Sequence, residues 1–130
     1  MKNVITSIVC LLMWGCSSMT PEEQAAQTAL YYYQLLQEGK AVEFMEGKAG
    51  VEEIPNDYAE QLLKATELYI SDIQTKHGGV QKVGLSDNAP RRDSIPQQVV
   101  YAFLILSYND STQEEITVPM VEQQGDWRMK

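Results

Sequence analysis

Cys16 carries the most specific chemistry in this sequence because of the residues on either side of it. The residues from Val4 to Trp14 are mostly apolar, and the small residue Gly15 separates them from the cysteine. A thiol at such a junction can take a diacylglyceryl group, and a peptidase with a narrow pocket can then cut before it. The alternative is a buried core helix with an incidental cysteine. The polar serines that follow favour acylation of Cys16.

Four residues at this junction resemble a bacterial lipobox: Met13, Trp14, Gly15 and Cys16. Met13 and Trp14 stand where the usual lipobox has leucine and a small residue. Cys10 fits the pattern less well, because a valine precedes it. The apolar run is eleven residues long, whereas a membrane span needs roughly 20. We therefore predict a signal peptide at residues 1–15.

Removal of that peptide would leave 115 of the 130 residues, enough for one domain but not for two. We expect a linker at residues 16–19 and a single domain at residues 20–130. The chain has 18 acidic and 10 basic residues, a formal net charge of −8. That balance argues against nucleic acid as a partner, because phosphates require clustered Lys and Arg. Cys16 would be the one cysteine left, so no intramolecular disulfide could form.

The residues after Cys16 predict the location of the anchored protein. In the lipoproteins that the lipobox resembles, an aspartate next to the cysteine commonly signals inner-membrane retention. Ser17 occupies that position here, and no acidic run follows. We therefore expect an outer-membrane lipoprotein that faces the periplasm. Thr20 lies four residues after Cys16, so the extended linker reaches about 14 Å and keeps the domain near the membrane.

Three helices are predicted in the first half of the mature chain. The first begins at a capping box formed by Thr20, Pro21 and Glu23 and ends at Gly39. Its broad apolar face comprises Ala25, Ala26, Ala29, Leu30, Tyr32, Tyr33 and Leu36. A short helix at Ala41 to Met45 would pack beneath it through Val42, Phe44 and Met45.

The third helix runs from Asn56 or Asp57 to Lys76 and ends before Gly78. Its apolar stripe is predicted to contain Tyr58, Leu62, Ala65, Tyr69 and Ile73, with Leu63 and Ile70 beside it. A brief strand at Val51 to Ile54 could precede it.

Beyond this helix the apolar period changes from 3.6 to 2, which predicts strands. Val83 and Leu85 begin the first strand, and Ser86 to Pro96 form a polar loop. The run from Gln97 to Tyr108 is almost continuously apolar, which is typical of a central strand buried on both faces. The remaining strands are indicated by Ile116, Val118 and Met120, where Pro119 implies an edge position or a bulge, and by inward-facing Trp127 and Met129.

This order of elements is an α+β arrangement: two longer helices and one short helix packed on a curled antiparallel sheet of about four strands. The element order, the Tyr-rich first helix ending in Gly39, and the closing segment Gly125 to Met129 resemble the nuclear-transport-factor-like superfamily. More narrowly, they resemble its small, lumazine-binding-like bacterial lipoproteins. The resemblance implies a cone-shaped domain. In enzymes of the superfamily, an acid, a tyrosine or a histidine lies inside the cone. An early strand between the helices is also usual there, and Gly47 to Pro55 leaves little room for one.

Few residues of the domain are candidates for chemistry. Tyr31, Tyr32 and Tyr33 are successive, so at least one ring faces the core and one faces solvent; Tyr32 and Tyr33 are candidate contacts, with core packing as the alternative. Arg91 and Arg92 form the one basic cluster and could meet an anionic ligand or partner, or lie in a solvated loop.

The remaining titratable groups favour structural roles. His77 is the only histidine and could act as a base, but its place beside Gly78 favours a solvent-facing cation at a helix end. The acid pairs, such as Glu114 and Glu115, are adjacent in sequence, so their side chains diverge. We predict no metal site and no cofactor.

Two functions remain open. The first is a lipid-anchored, non-catalytic binding or scaffolding protein of the cell envelope, which holds a small molecule or another envelope protein. The second, implied by the resemblance alone, is a small hydrolase or isomerase that uses an acid or tyrosine inside the cone.

Acylation is testable by labelling cells with a radioactive fatty acid. The wild-type protein should carry the label, and the Cys16→Ala variant should not, since the thiol is the attachment point. A Cys16→Ala protein that still takes up label would refute the assignment.

Overall fold

The computed structural model describes residues 19–93 and 99–130. Within them, the helices are α1 (Pro21–Gln37), α2 (Ala41–Glu46) and α3 (Asn56–His77), with a 3₁₀ helix at Val51–Glu53 between the last two. The strands are β1 (Val80–Leu85), β2 (Arg91–Arg92), β3 (Val99–Tyr108), β4 (Gln113–Gln123) and β5 (Asp126–Met129). The predicted signal peptide, Cys16 and the first residues of the predicted central strand lie outside the described residues.

The strands form one antiparallel sheet in the order β1-β3-β4-β5, and the two-residue β2 pairs with β3 on the same side as β1. The helices pack on one face of this curled sheet, so the predicted α+β class is confirmed. β3 is the central strand, as its apolar run predicts. Among the described helices, none is both long and apolar enough to cross a membrane.

The core lies between α1 and the helix-facing side of the sheet. α1 contributes three alanines, Ala25, Ala26 and Ala29, whose side chains are at most 5% exposed. Every second residue of β3 meets them, and the sheet completes the core with this set: Val100, Ala102, Leu104, Leu106, Val118, Met120, Trp127 and Met129. The inward direction predicted for Trp127 and Met129 is therefore confirmed.

The prediction that β3 is buried on both faces is wrong for one of them. Its helix-facing residues are buried, whereas Tyr101, Phe103 and Ile105 on the opposite face are only half-buried. No described helix covers that face. An apolar run indicates a central strand, but it does not reveal whether both faces are covered.

The apolar stripe predicted for α3 is displaced around the helix. Thr66 and Ile73 are its buried residues, flanked by half-buried Leu62 and Ile70. Three residues assigned to the stripe, Tyr58, Ala65 and Tyr69, are exposed instead. Thr66 lies outside the predicted stripe, and its hydroxyl donates to the carbonyl of Leu62 at 2.9 Å, which permits burial.

Three smaller predictions are corrected. The segment predicted as a brief strand at Val51–Ile54 is a 3₁₀ helix instead. Val42 of α2 is 46% exposed rather than packed beneath α1. Arg91 and Arg92 lie on β2, not in a loop, because their backbone pairs with Tyr101 and Val100.

The early strand implied by the superfamily resemblance is reduced to one parallel bridge, between Lys48 and Met129. The Met129 amide donates to the carbonyl of Gly47 at 2.8 Å, and the Ala49 amide donates to the carbonyl of Met129 at 2.7 Å. The three residues Gly47–Ala49 thus tie the connection between α2 and α3 to the sheet.

Pro119 lies on β4, which has β3 on one side and β5 on the other. Its carbonyl accepts from the Lys130 amide at 2.9 Å, on the β5 side. A strand residue directs its N–H and C=O the same way, so the missing donor of Pro119 also faces that side, where β5 has already ended. β5 pairs with β4 only from Met120 to Gln123. The predicted edge position of Pro119 therefore holds on the β5 side of β4. In the described part of the chain, Gln113–Val118 have no partner strand on that side and form an edge of the sheet.

Gly47 lets α1 and α2 approach closely, and its replacement by alanine should destabilise the fold. A Cβ at Gly47 would lie 2.5 Å from two ring carbons of Tyr32, so the ring would have to leave its packed position. We expect the free energy of unfolding to fall by about 1–3 kcal/mol, measured by denaturant titration.

Gly84→Ala is the matched control, because a Cβ there meets nothing within 4 Å. It should change the free energy of unfolding by less than about 1 kcal/mol. Equal losses in the two variants would contradict this account of Tyr32.

Candidate functional site

A cleft of about 180 Å³ opens between the first turns of α1 and the loop that joins β1 to β2. Met19, Glu23, Ala26 and Gln27 form its α1 wall, and Leu85, Ser86, Asn88, Ala89, Pro90 and Phe103 form the other. Leu85 pairs with buried Leu104, which places it on the helix-facing side of the sheet. Because α1 leaves this end of the sheet uncovered, Leu85 is 44% exposed.

The polar groups of the cleft are already held in place. The Glu23 carboxylate accepts from the Thr20 amide at 3.2 Å and from its hydroxyl at 2.9 Å, completing the predicted capping box. Ser86 and Asn88 both donate to the carboxylate of Glu115. Of the residues that line the cleft, Glu23 is the one with a titratable side chain. The cleft therefore offers preorganised polar groups but no pair of groups for acid–base catalysis.

A second group of polar side chains lies at the opposite end of α1, on the helix-facing side of the sheet. We call Tyr108 and Glu114 the rim cluster. The Tyr108 hydroxyl donates to Oε1 of Glu114 at 2.6 Å. Burial, and next the hydrogen bond to Glu114, raise the pKa of Tyr108 well above its usual range. Burial raises the pKa of Tyr33 to about 12.

His77 borders the rim cluster at the end of α3. Its ring stacks on Tyr108, with centroids 4.1 Å apart and planes at 10°. Its Nδ1 lies 2.7 Å from Oδ2 of Asp110. Hydrogen bonds from Thr112 first, and from His77 second, lower the pKa of Asp110 to about 2. His77 does end a helix, as predicted, but it is paired and stacked rather than simply facing solvent.

A comparison with solved structures finds a crystal structure from Campylobacter jejuni, provisionally described as an NTF2-like transpeptidase. The match covers 78% of this chain and 92% of that protein, with a TM-score of 0.52 and 13% sequence identity. The chain has an NTF2-like fold. At this identity the likeness shows the fold alone. No protein-family model and no curated protein matches the sequence.

The two predicted tyrosine contacts lie on the helix side of the NTF2-like domain. Tyr32 packs across Gly47 and meets the ring of Tyr31 edge-on, with centroids 5.3 Å apart. Tyr33 meets Phe44 edge-on at 5.1 Å. Both are half-buried against the core, which agrees with the packing alternative.

The two predicted arginine contacts point to opposite faces of the sheet. The guanidinium of Arg91 lies 5.9 Å from the ring centroid of Phe103 on the uncovered face. Arg92 reaches the first turn of α1, where Nε and Nη2 donate to Oε1 of Glu22 at 3.1 and 3.0 Å. The arginines therefore do not converge with each other or with the tyrosines.

The residues that do converge were not singled out as site residues. The sequence signal for Glu114 was the pair of adjacent acids, whose side chains must diverge on a strand. In the structure, Glu114 pairs with buried Leu106, and Glu115 pairs with Ile105 on the uncovered face. Their separation is confirmed, but which acid faces the helices depends on the register of β4. In residues 19–93 and 99–130, no three His, Cys, Asp or Glu side chains come together as a metal site.

The raised pKa of Tyr33 predicts a loss of stability at alkaline pH. An unfolded tyrosine ionises near pH 10, whereas folded Tyr33 keeps its proton to about pH 12. Between these values the unfolded state binds fewer protons, so stability falls as the pH rises. The free energy of unfolding of wild type minus that of Tyr33→Phe should therefore decrease by about 2 kcal/mol from pH 10 to pH 12. A pH-independent difference in urea titrations would contradict it.

Proposed function

We propose that this protein is a lipid-anchored binding protein of the cell envelope, held in the outer membrane through acyl chains on Cys16 and facing the periplasm. Its NTF2-like domain holds a small molecule, or a side chain of another envelope protein, in the cleft beside α1. The role is binding or scaffolding rather than catalysis.

The observation that carries this proposal is the position of the cleft at the start of the domain. Met19 lines the cleft and lies three residues after Cys16, a reach of about 10 Å even when extended. An acylated Cys16 therefore holds the opening of the cleft next to the membrane surface, where a ligand bound there would be retained.

The size and chemistry of the cleft favour a small occupant. Its volume of about 180 Å³ is below the roughly 300–1,000 Å³ of typical ligand pockets. Leu85, Ala89 and Pro90 offer apolar surface, and Gln27 and Asn88 offer hydrogen bonds. This composition suits a short, mostly neutral group.

The alternative, a small hydrolase or isomerase, requires an acid or tyrosine inside the cone. In the described residues no carboxylate is buried, and the buried tyrosine is Tyr108, which is 3% exposed. The centre of the domain is filled by Leu104, Leu106 and Met120 instead. Catalysis would have to use Tyr108 and Glu114 at the rim. Their 2.6 Å hydrogen bond is the observation that supports this alternative.

The binding role is testable by native mass spectrometry of the full-length lipoprotein released from membranes. Wild type should carry an additional bound mass, and Ala89→Trp should lose it, because the indole would fill the cleft from its exposed loop. Ala65→Trp is the matched control, since Ala65 is exposed on α3 and away from the cleft.

A wild-type protein that carries no additional mass, or an Ala89→Trp variant that keeps it, would overturn the cleft as the binding site. Circular dichroism of each variant checks that the fold is retained.

A further inference from the structure

α3 carries an apolar patch that the described part of the domain leaves open to solvent. Tyr58 is 51% exposed, Leu68 66% and Tyr69 39%, and Ala65 is exposed between them. On a helix, Tyr58, Ala65 and Tyr69 lie within about 40° of one another, and Leu68 lies about 60° from Ala65. We call these four residues the α3 outer patch.

Four charged side chains flank the α3 outer patch, and their sign alternates along the helix: Asp57, Lys64, Asp72 and Lys76. Each lies within about 80° of the middle of the patch. All four are exposed, and none forms a salt bridge within residues 19–93 and 99–130. These charges are therefore available to a partner that lies along the helix.

The charge pattern is complementary to itself when the helix is reversed. The midpoint of Asp57 and Lys76 lies between residues 66 and 67, and that of Lys64 and Asp72 lies at residue 68. A second α3 that runs antiparallel about this region would therefore place a lysine opposite each aspartate. A parallel copy would place every charge opposite its own like.

We propose that the α3 outer patch binds the same patch of a second copy of this chain, with the two helices antiparallel about a two-fold axis. Around that axis each Leu68 lies opposite an Ala65, so a large side chain meets a small one. The other acids of the helix, Glu60 and Glu67, lie about 120° or more from the middle of the patch and do not oppose the pairing. One pair of helices buries less area than a standard interface, so the dimer is weak and reversible.

This surface is separate from the cleft of the proposed function. No residue of α3 lines the cleft, and the self-complementary charges do not depend on a ligand bound there. Loss of ligand binding at the cleft and loss of dimerisation are therefore distinguishable results.

The first test measures the dimer dissociation constant of the full-length lipoprotein by analytical ultracentrifugation, with detergent micelles in excess over protein. Wild type should dimerise reversibly, and Leu68→Asp should raise the dissociation constant at least about tenfold, because two apolar contacts are lost per dimer. Val42→Asp is the matched control, since Val42 is 46% exposed on α2. It should stay within about twofold of wild type.

A charge exchange tests the antiparallel direction. Asp57→Lys or Lys76→Asp alone places like charges together twice per dimer and should raise the dissociation constant about fivefold. The double variant should return it to within about twofold of wild type. Both substitutions oppose the helix dipole, so this recovery cannot come from a more stable helix. Glu60→Lys, the matched control off the patch, should change the constant less than about twofold.

A wild-type protein that stays monomeric throughout the accessible concentration range would overturn the proposal. A dimer that Leu68→Asp weakens no more than Val42→Asp would place the interface elsewhere and would also overturn it. Failure of the double variant to recover would refute the antiparallel pairing. Circular dichroism of each variant checks that the helices are retained.

Discussion

The close contact between the alanines of α1 and the middle of β3 is the constraint on which the rest of this structure depends. Ala25 and Ala29 on the helix, and Ala102 on the strand, are all 0% exposed. Small side chains at such a contact let the backbones approach closely. α1 also contacts β1, β4 and β5. These contacts together determine where each end of the helix lies on the sheet. One end forms a wall of the cleft, and the other packs Tyr33 against Phe44 of α2.

Much of the fold could be predicted because its signals are local. The capping box at Thr20, the glycine after α3 and the alternation in β4 each depend on residues within one or two turns of chain. The antiparallel pairing of β3 with β4 and of β4 with β5 agrees with the short connections between these strands.

The errors concern contacts between distant segments. Periodicity predicts that α3 has an apolar side. It does not show whether that side contains Tyr58 and Tyr69 or lies around Thr66, because the neighbouring elements decide which side of the helix is covered. β3 gave the same ambiguity, since an apolar residue such as Phe103 can pack against a neighbour or remain half-exposed. Site residues are harder still, because His77, Tyr108 and Glu114 come from three elements and meet only through the tertiary fold.

The stretch of β4 that has no partner strand on one side in the described residues also bears on how copies of this protein meet one another. Gln113–Val118 extend beyond β5, and an unpaired strand edge can template intermolecular pairing. Glu114 and Glu115 lie on that stretch, and Pro119 closes it. Edge-to-edge association of two copies would bring their glutamates close together and would lack a donor at the proline. This edge is thereby protected against pairing with the same edge of another copy.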